Sequence, residues 1–391
     1  MAREELPASR GLRVLTFLHS FEPGGVERVA LRLHSAWVEQ GADARLVMGR
    51  EQGAMRSEWP GLAYEVLDRA GITGPLETLW MIASLPGAIR RHRPDVLFCA
   101  GNSYTVVSVA MKLLLGRRCP PIVAKISNDL MRPDLPRIAM PFYRLWLRIQ
   151  GRRLDRIVAI APAMAQEITE MMGVLPDKVP VIDNPALSNA ELEHLAALPR
   201  PAHPGPARRF LAIGRLAPQK NFLGLLDAFA RIARAGDRLT ICGEGPQRAA
   251  LEARAARLGI AERVHLPGHT FPLDDELARA DALVLSSDYE GLPTVVLQAY
   301  AAGIPVVATD CSVSMASLLG HGRFGALVPP RDPQALAQAM DTVLDHPFQA
   351  EAARAEARRF TVDLAAHRYL RAMEDLGPSA ALSRAPRFQF R

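Results

Sequence analysis

The stretch ALVLSSDYEGLPTVVLQAYAAGIPVVATD, residues 282–310, carries the reading of the fold. ALVLSS is a continuous apolar run closed by two serines, the pattern of a strand covered on both faces. Pro293 stands where proline is favoured, at the first position of a helix. Gly303 stops that helix ahead of Pro305, and IPVVATD supplies a second buried strand. Two apolar strands joined by a short helix make a parallel pair with a crossover. Glu290 sits at the mouth of the helix, and Gln298 lies two turns along it. A lone carboxylate there is either an exposed acid favoured by the helix dipole, worth ~0.3 to 1 kcal/mol, or a group with a chemical task.

The same alternation runs outward in both directions. In the first half, LRVLTFLHS (12–19), ARLVMG, DVLFCA (95–100), PIVAKIS (121–127), RIVAIA (156–161) and VPVIDNP (179–185) read as strands. Between them lie amphipathic stretches such as VERVALRLHSAWVEQG, stopped by Gly41, and a helix over 162–172. After Pro185 the pattern breaks into a proline-rich connection with a short helix in its first half. It restarts with RFLAIG (209–214), RLTICG and RVHLPG. The fold class expected is α/β, with two doubly wound Rossmann-like domains facing a cleft. The expected boundaries are a first domain over 1–190, a linker over 191–208, a second domain over 209–375 whose last helix packs back on the first, and a flexible tail over 376–391.

Composition agrees with two globular domains: 391 residues, 49% hydrophobic and 23% charged. Cys99, Cys119, Cys242 and Cys311 form no C-x-x-C pair, which speaks against a zinc site or a disulfide framework and for a reducing cytoplasm. The polar start MAREELPASRG lacks the apolar core of a signal peptide, and no run approaches the length of a membrane span. The net charge of +6 is unevenly spread. Residues 131–157 hold seven arginines against two aspartates. Tyr143, Trp146 and aliphatic residues interleave with these arginines, as on a helix at an anionic membrane surface or on an ordinary amphipathic helix packed against the sheet. No recognition motif accompanies the charge, so nucleic acid is not expected as a partner.

In open parallel sheets ligands bind beyond the carboxyl ends of the strands, so the strand-to-helix turns are the informative positions. HSFEPGGVER places Gly24 and Gly25 where a backbone approaches a ligand or makes a tight turn. It lacks the G-x-G-x-x-G spacing of dinucleotide enzymes. AIGRLAPQKNF puts Arg215 at a strand end and Lys220 ahead of a helix capped by Asn221, a pair of cations suited to a diphosphate. CGEGPQ puts Gly243 and Gly245 at another strand end. In EGLPTVV, free N–H groups near Leu292–Val295 and the Thr294 hydroxyl can hold a phosphate. Glu290 would repel that phosphate unless a sugar ring lay between, since a carboxylate accepts hydrogen bonds from neighbouring hydroxyls. The acids Asp274, Asp275 and Glu276 read as the first turn of a helix and not as a metal site.

These residues together resemble the retaining, nucleotide-sugar-dependent glycosyltransferases of family 4, with the two-domain GT-B fold. The resemblance runs over roughly residues 12–375 and is strongest in Arg215, Lys220 and EGLPTVVLQA. It implies that the second domain binds a UDP- or GDP-sugar, that the first binds a saccharide or lipid-linked acceptor, and that neither a metal nor another cofactor is required. By matching position, Arg215 and Lys220 would neutralise the departing diphosphate and Glu290 would hold hydroxyls of the transferred sugar, so these three are the catalytic candidates. Preorganised charge of this kind is worth on the order of 10²- to 10³-fold in rate per group. Donor binding would fall to Gly214, Gly243, Gly291, Leu292, Pro293, Thr294, Val295 and Gln298.

The chain departs from the family at several points. The second glutamate of the family's E-x7-E pattern, which takes ribose hydroxyls, is Gln298 here. A neutral hydrogen bond is worth ~1 kcal/mol against ~1.5 to 3 kcal/mol for a charged one. The first-domain strand ends read FCAGNS and AKISNDL where relatives often carry a histidine. His19, Gly24, Gly25, Asn102 and Asn128 are the acceptor-side candidates. Surface polysaccharide or glycolipid assembly at the inner face of the cytoplasmic membrane is the pathway class expected. A nucleotide-sugar epimerase or hydrolase of similar fold, and a non-catalytic sugar-nucleotide binding subunit, are the alternatives.

Overall fold

The computed structural model describes residues 11–22, 24–67, 76–127, 130–131, 136, 138–200 and 207–376. The chain divides into two compact units, Met1–Pro185 with Val362–Arg391, and Ala186–Thr361.

The first unit contains β1 (Arg13–Leu18), α1 (Gly25–Glu39), β2 (Asp43–Met48), β3 (Glu65–Val66), α2 (Glu77–His92), β4 (Val96–Cys99), α3 (Thr105–Leu115), β5 (Ile122–Ile126), α4 (Met140–Arg153), β6 (Arg156–Ala159) and α5 (Pro162–Met172). The second contains α6 (Asn189–Ala196), β7 (Arg209–Ile213), α7 (Phe222–Ile232), β8 (Arg238–Cys242), α8 (Arg248–Arg257), β9 (Val264–Gly268), α9 (Asp274–Arg279), β10 (Ala282–Leu285), α10 (Thr294–Ala301), β11 (Val306–Thr309), α11 (Met315–Leu318), β12 (Gly325–Val328), α12 (Pro333–Thr342) and α13 (Ala350–Arg358). The final helix, α14 (Val362–Glu374), belongs to the first unit.

Each unit has a parallel six-stranded sheet, ordered β3-β2-β1-β4-β5-β6 in the first and β12-β11-β10-β7-β8-β9 in the second. Numbered from its own first strand, each reads 3-2-1-4-5-6, the doubly wound order of the dinucleotide-binding fold. The direction of winding therefore reverses between β1 and β4 and again between β7 and β10. In such sheets the crevice at the carboxyl ends of the two strands flanking the reversal is where ligands bind. The fully apolar strands follow from burial on both faces. In the second unit, Leu283, Leu297 and Tyr300 belong to the core on one side of the sheet, and Phe210, Phe229 and Val307 to the core on the other.

The unit boundaries differ from those expected. Residues 186–200 pack with the second unit and do not act as a linker. Ala186 and Leu187 donate backbone hydrogen bonds to the Phe360 carbonyl. A capping box between Ser188 and Glu191 starts α6. Leu192 and Leu195, one turn apart, are buried in the core with Ala299 and Tyr300. Arg208 is also part of that unit, buried in an ion pair with Asp237 at 2.7 Å. Residues 201–206 and 377–391, which hold most of the proline-rich segment and the expected tail, lie outside the described residues.

The last helix packs on the first unit for a reason visible in its periodicity. Val362, Ala365, Ala366, Tyr369, Leu370 and Met373 form one buried stripe. Trp37 of α1, fully buried, stacks edge-on against Phe98 and Tyr369 and donates its indole N–H to the Ala366 carbonyl at 3.2 Å. The segment VPVIDNP, expected as a strand, contributes only an isolated bridge from Val181 to Ala159. Among the described residues no helix is long and apolar enough to cross a membrane.

Candidate functional site

The two sequence-predicted turns of the second unit meet at its reversal point. β7 pairs directly with β10 through Phe210 with Ala282 and Leu211 with Leu283, which brings their carboxyl ends side by side. The loops beyond them, 214–221 and 286–291, are then stitched together. The Ser286 hydroxyl donates to the Lys220 carbonyl at 2.8 Å, the Asp288 N–H to the Gln219 carbonyl at 2.8 Å, and the Gln219 amide to the Tyr289 carbonyl at 2.8 Å.

The result is an ion pair between Lys220 and Glu290, whose side chains are only 17% and 13% exposed. The same Glu290 oxygen accepts from the Ser287 hydroxyl at 2.7 Å, and the Glu290 N–H donates to the Cys311 carbonyl at 2.9 Å. The carboxylate is thus fixed from its backbone and from two side chains. Arg215 is exposed, and among the described residues its guanidinium has no hydrogen-bond or ion-pair partner. A fixed lysine, a fixed carboxylate and an unengaged arginine on adjoining turns form a polar receptor with charge of both signs.

The glycines have distinct structural reasons. A Cβ on Gly214 would lie 2.8 Å from the Lys220 side chain, so the missing side chain is what lets the lysine lie across the strand end. A Cβ on Gly243, at φ +149°, would strike the Gly214 carbonyl oxygen at 1.9 Å. Gly214 and Gly243 therefore abut, and the β7 and β8 ends form one compact floor. Gly291 and Leu292 precede α10. Pro293 is its cap residue and not its first helical residue, and Thr294 is the first. Val295 and Gln298 share the partly exposed face of α10 with Thr294, while Val296, Leu297, Ala299, Tyr300 and Ala301 are buried. Asn221 caps α7 as expected, its side chain accepting from the Gly224 N–H at 3.3 Å. Pro246 precedes α8, which starts at Arg248.

In the first unit, His19 follows β1, Gly24 is the cap residue of α1, Gly25 is its first residue, and Asn102 follows β4. These also flank a reversal point, and the structure joins His19 and Gly24 in one polar cluster through Glu27 and Tyr104. Gly24 lies against Glu27, whose carboxylate would be 2.1 Å from a Cβ there. Glu27 accepts from the Tyr104 hydroxyl at 2.7 Å, and the Tyr104 ring lies 4.6 Å from the His19 ring. His19 Nδ1 is 3.2 Å from Glu77, which Arg50 also holds at 2.6 Å, while His19 Nε2 is buried with no partner among the described residues. Asn102 accepts from the Ser127 N–H at 3.0 Å. Gly25 makes no close contact that a side chain would disturb. Asn128 lies outside the described residues.

Burial lowers the His19 pKa, opposed by the nearby Glu77 and Glu27 carboxylates. Lys125, 1% exposed on β5, donates to the Ser127 hydroxyl, and its burial pulls the ammonium pKa down to about 7, with Glu27 acting against the shift. Glu27, Tyr104, Glu77, Arg50 and Lys125 were missed in the sequence. Lys125 carried the one usable signal, a charge inside the apolar run PIVAKIS. Among the described residues no three His, Cys, Asp or Glu side chains gather as a metal ligand set.

Residues 207–346 match the family described as "Glycosyl transferases group 1", and residues 23–186 match "Glycosyltransferase Family 4". The chain is 30% identical to a D-inositol 3-phosphate glycosyltransferase of Thermobispora bispora over 327 residues, 76% of this chain and 73% of the relative. It is 35% identical to the glycogen synthase of Mycobacterium tuberculosis over 54% of this chain, and spans about half, 51%, of that protein's length. Its match to an exopolysaccharide phosphotransferase of Streptomyces coelicolor spans 20% of that protein. Two solved structures have the same two-domain GT-B fold over 93% of this chain: the lipopolysaccharide outer core galactosyltransferase WaaB, at TM-score 0.73 and 19% identity over 99% of it, and Anabaena HepE in complex with UDP, at TM-score 0.72 and 20% identity over 100% of it. The fold, the paired turns and the matches over both units agree: this chain belongs to the group 1, family 4 glycosyltransferases.

Proposed function

We propose that the protein is a retaining glycosyltransferase that moves a sugar from a UDP- or GDP-sugar to a saccharide or lipid-linked acceptor in surface polysaccharide or glycolipid assembly. The observation that carries this reading is the Lys220–Glu290 pair at the reversal point of the second sheet. Lys220 and Arg215 supply the positive charge a diphosphate needs as it leaves, with Arg215 giving a forked contact. Glu290 offers lone pairs to two neighbouring sugar hydroxyls, and the N–H groups that open α10 meet a phosphate. The carboxylate and the phosphate are then separated by the sugar itself. This charge needs no metal to complete it, and no other cofactor enters the proposal.

In the first unit the cluster of His19, Glu27, Tyr104 and Asn102 is the acceptor end, where Gly24 and Gly25 open α1. An anionic membrane is the proposed source of the acceptor, which makes the protein a peripheral one on the cytoplasmic side. The support is that α4 buries Leu147 and Gly151 while Ile138, Phe142 and Leu145 are 82%, 73% and 56% exposed beside exposed Arg144 and Arg148.

The test is incubation with a panel of UDP- and GDP-sugars, with and without bacterial lipid extract, following release of UDP or GDP. Release that depends on the extract is the expected result. Release without it would favour an epimerase or hydrolase. Tight nucleotide binding with no release would favour a non-catalytic binding subunit, the reading that Gln298 motivates.

A further inference from the structure

The second unit carries a groove at the end of its sheet opposite the donor turns. Its strands are parallel, so Arg209 and Arg238, the first residues of β7 and β8, lie at the amino ends, whereas Gly214 and Gly243 follow the carboxyl ends. At about 3.3 Å of rise per residue, Arg209 and Gly214 are roughly 15 Å apart. The register pairs Arg209 with Arg238, Leu211 with Thr240, and Thr240 with His265, so these side chains stand on one face of the sheet. The helix on that face is α9, which follows β9 and buries Leu277 with Leu211 and Leu283. Six residues make it roughly 9 Å long, too short to roof the β8 and β9 face. The space left is a cavity of about 420 Å³, with Arg209, Leu211, Arg238, Thr240 and His265 contributed by the strands and Glu276 and Arg279 by α9.

The lining charges are three arginines against one carboxylate, Glu276, and none of them is enclosed. Arg209 is half-buried and Arg238 exposed, and among the described residues neither guanidinium has a carboxylate partner. Asp281 accepts from the Arg209 backbone N–H and not from its side chain, at 2.8 Å, and Arg238 reaches only the Asp237 carbonyl, at 3.3 Å. The Asp237 carboxylate itself is fully buried against Arg208. Arg279 pairs with Asp275 at 3.1 Å, but these side chains are 53% and 81% exposed, a pair that solvent screens. Like charges placed opposite each other on neighbouring strands repel, so the Arg209–Arg238 pair is unfavourable without an anion beside it.

That excess of charge narrows the ligand. A cation would meet three arginines, and an uncharged molecule would leave Arg209 and Arg238 without a counter-charge. Two adjacent guanidinium forks match the oxygens of a phosphate, and the Thr240 hydroxyl and a ring N–H of His265 add neutral donors. The volume lies within the range of small-molecule sites, about 300 to 1,000 Å³, and leaves room for a sugar on the phosphate, whose hydroxyls Glu276 could accept from. We infer that this groove binds a phosphate group, free or carried on a sugar, as a second anion site separate from the donor turns.

The test uses the full chain without nucleotide sugar, so its outcome is independent of the transfer reading. A sample labelled with ¹³C at histidine Cε1 gives one resonance for each of the ten histidines, and His265→Gln identifies one by its disappearance. Sodium phosphate and glucose 1-phosphate are each titrated to tens of millimolar at fixed pH, with sodium chloride of matched ionic strength as control. The expected result is a saturable shift of the His265 resonance with at least one phosphate compound and none with chloride. Tighter binding of the ester would assign a sugar phosphate, and tighter binding of the inorganic ion would assign free phosphate. Arg238→Gln, a change at an exposed side chain, should weaken the binding by about tenfold or more. Arg215→Gln, at the other end of the sheet, should leave it intact. A His265 resonance unmoved by both compounds, an equal shift with chloride, or a shift that survives unchanged in Arg238→Gln would overturn the inference, as would one that is lost in Arg215→Gln.

Discussion

Replacing Glu290 by Gln should separate donor binding from transfer. In the free protein the Glu290 carboxylate holds Lys220, with both side chains mostly buried, and also accepts from Ser287 at 2.7 Å. A diphosphate must therefore compete with Glu290 for the ammonium. A charge-assisted hydrogen bond between such groups is worth about 1.5 to 3 kcal/mol, and an amide at the same place keeps roughly 1 kcal/mol of it. Glu290→Gln thus leaves Lys220 under-compensated by about 0.5 to 2 kcal/mol, which is offered to the incoming phosphate. UDP or GDP, whichever the wild type binds, should bind about 2- to 30-fold tighter by calorimetry. Transfer, measured as acceptor-dependent nucleotide release, should fall by about 10²-fold or more, because the group aligned on the sugar hydroxyls is weakened. Nucleotide affinity unchanged or reduced, together with transfer within tenfold of wild type, would refute the assignment of both residues.

Three further perturbations follow. Gln298→Glu puts a carboxylate on the partly exposed face of α10, and under the proposed donor orientation should tighten UDP by about 1 kcal/mol, read by calorimetry; no change would mean that this face does not meet the ribose. Lys125 titrates near pH 7 when folded and at 10.5 when unfolded, so the unfolded chain binds the extra proton between those values. Stability should therefore rise across pH 7 to 10.5 by a few kcal/mol, and Lys125→Met should raise the melting temperature at pH 7 and flatten that slope in thermal unfolding scans. His34 is neutral when folded down to about pH 4, whereas the unfolded residue takes its proton near 6.5. Roughly 3 kcal/mol of stability should be lost as pH falls across that window. A His34→Leu chain should not show that loss in denaturant titrations at pH 4 and 7.

The second unit was largely legible because its signals are local. The ALVLSS strand, the turn and the α10 pattern are written in consecutive residues, and β10, α10 and β11 follow from them. The contact between Lys220 and Glu290 is different, since 70 residues separate them. It depends on β7 and β10 being neighbours, which no single segment encodes and which follows only from the winding order of the whole sheet. The first unit was less legible because its polar cluster is assembled from residues with ordinary local roles. Glu27 reads as an acid in the first turn of α1 and Tyr104 as a core aromatic, and only their 2.7 Å contact joins them. The last helix is expected in the sequence to pack back on the first domain, but the Trp37 indole it satisfies lies 329 residues away from its Ala366 acceptor.

The two sheets share one topology but arm their reversal points with opposite chemistry. At β7 and β10 the strand ends carry two cations, the unengaged Arg215 and Lys220, with the Glu290 carboxylate held against the lysine. At β1 and β4 the carboxylates Glu27 and Glu77 are half-buried among Tyr104, His19 and Arg50, and the buried Lys125, near Glu27, has its pKa pulled down to about 7. A diphosphate leaving group needs the first arrangement. An acceptor whose reacting group is a neutral hydroxyl suits the second, where carboxylate lone pairs are at hand for an atom that must give up its proton. Similar folds would allow either unit to bind either partner, so the proposed assignment of donor and acceptor rests on these charges.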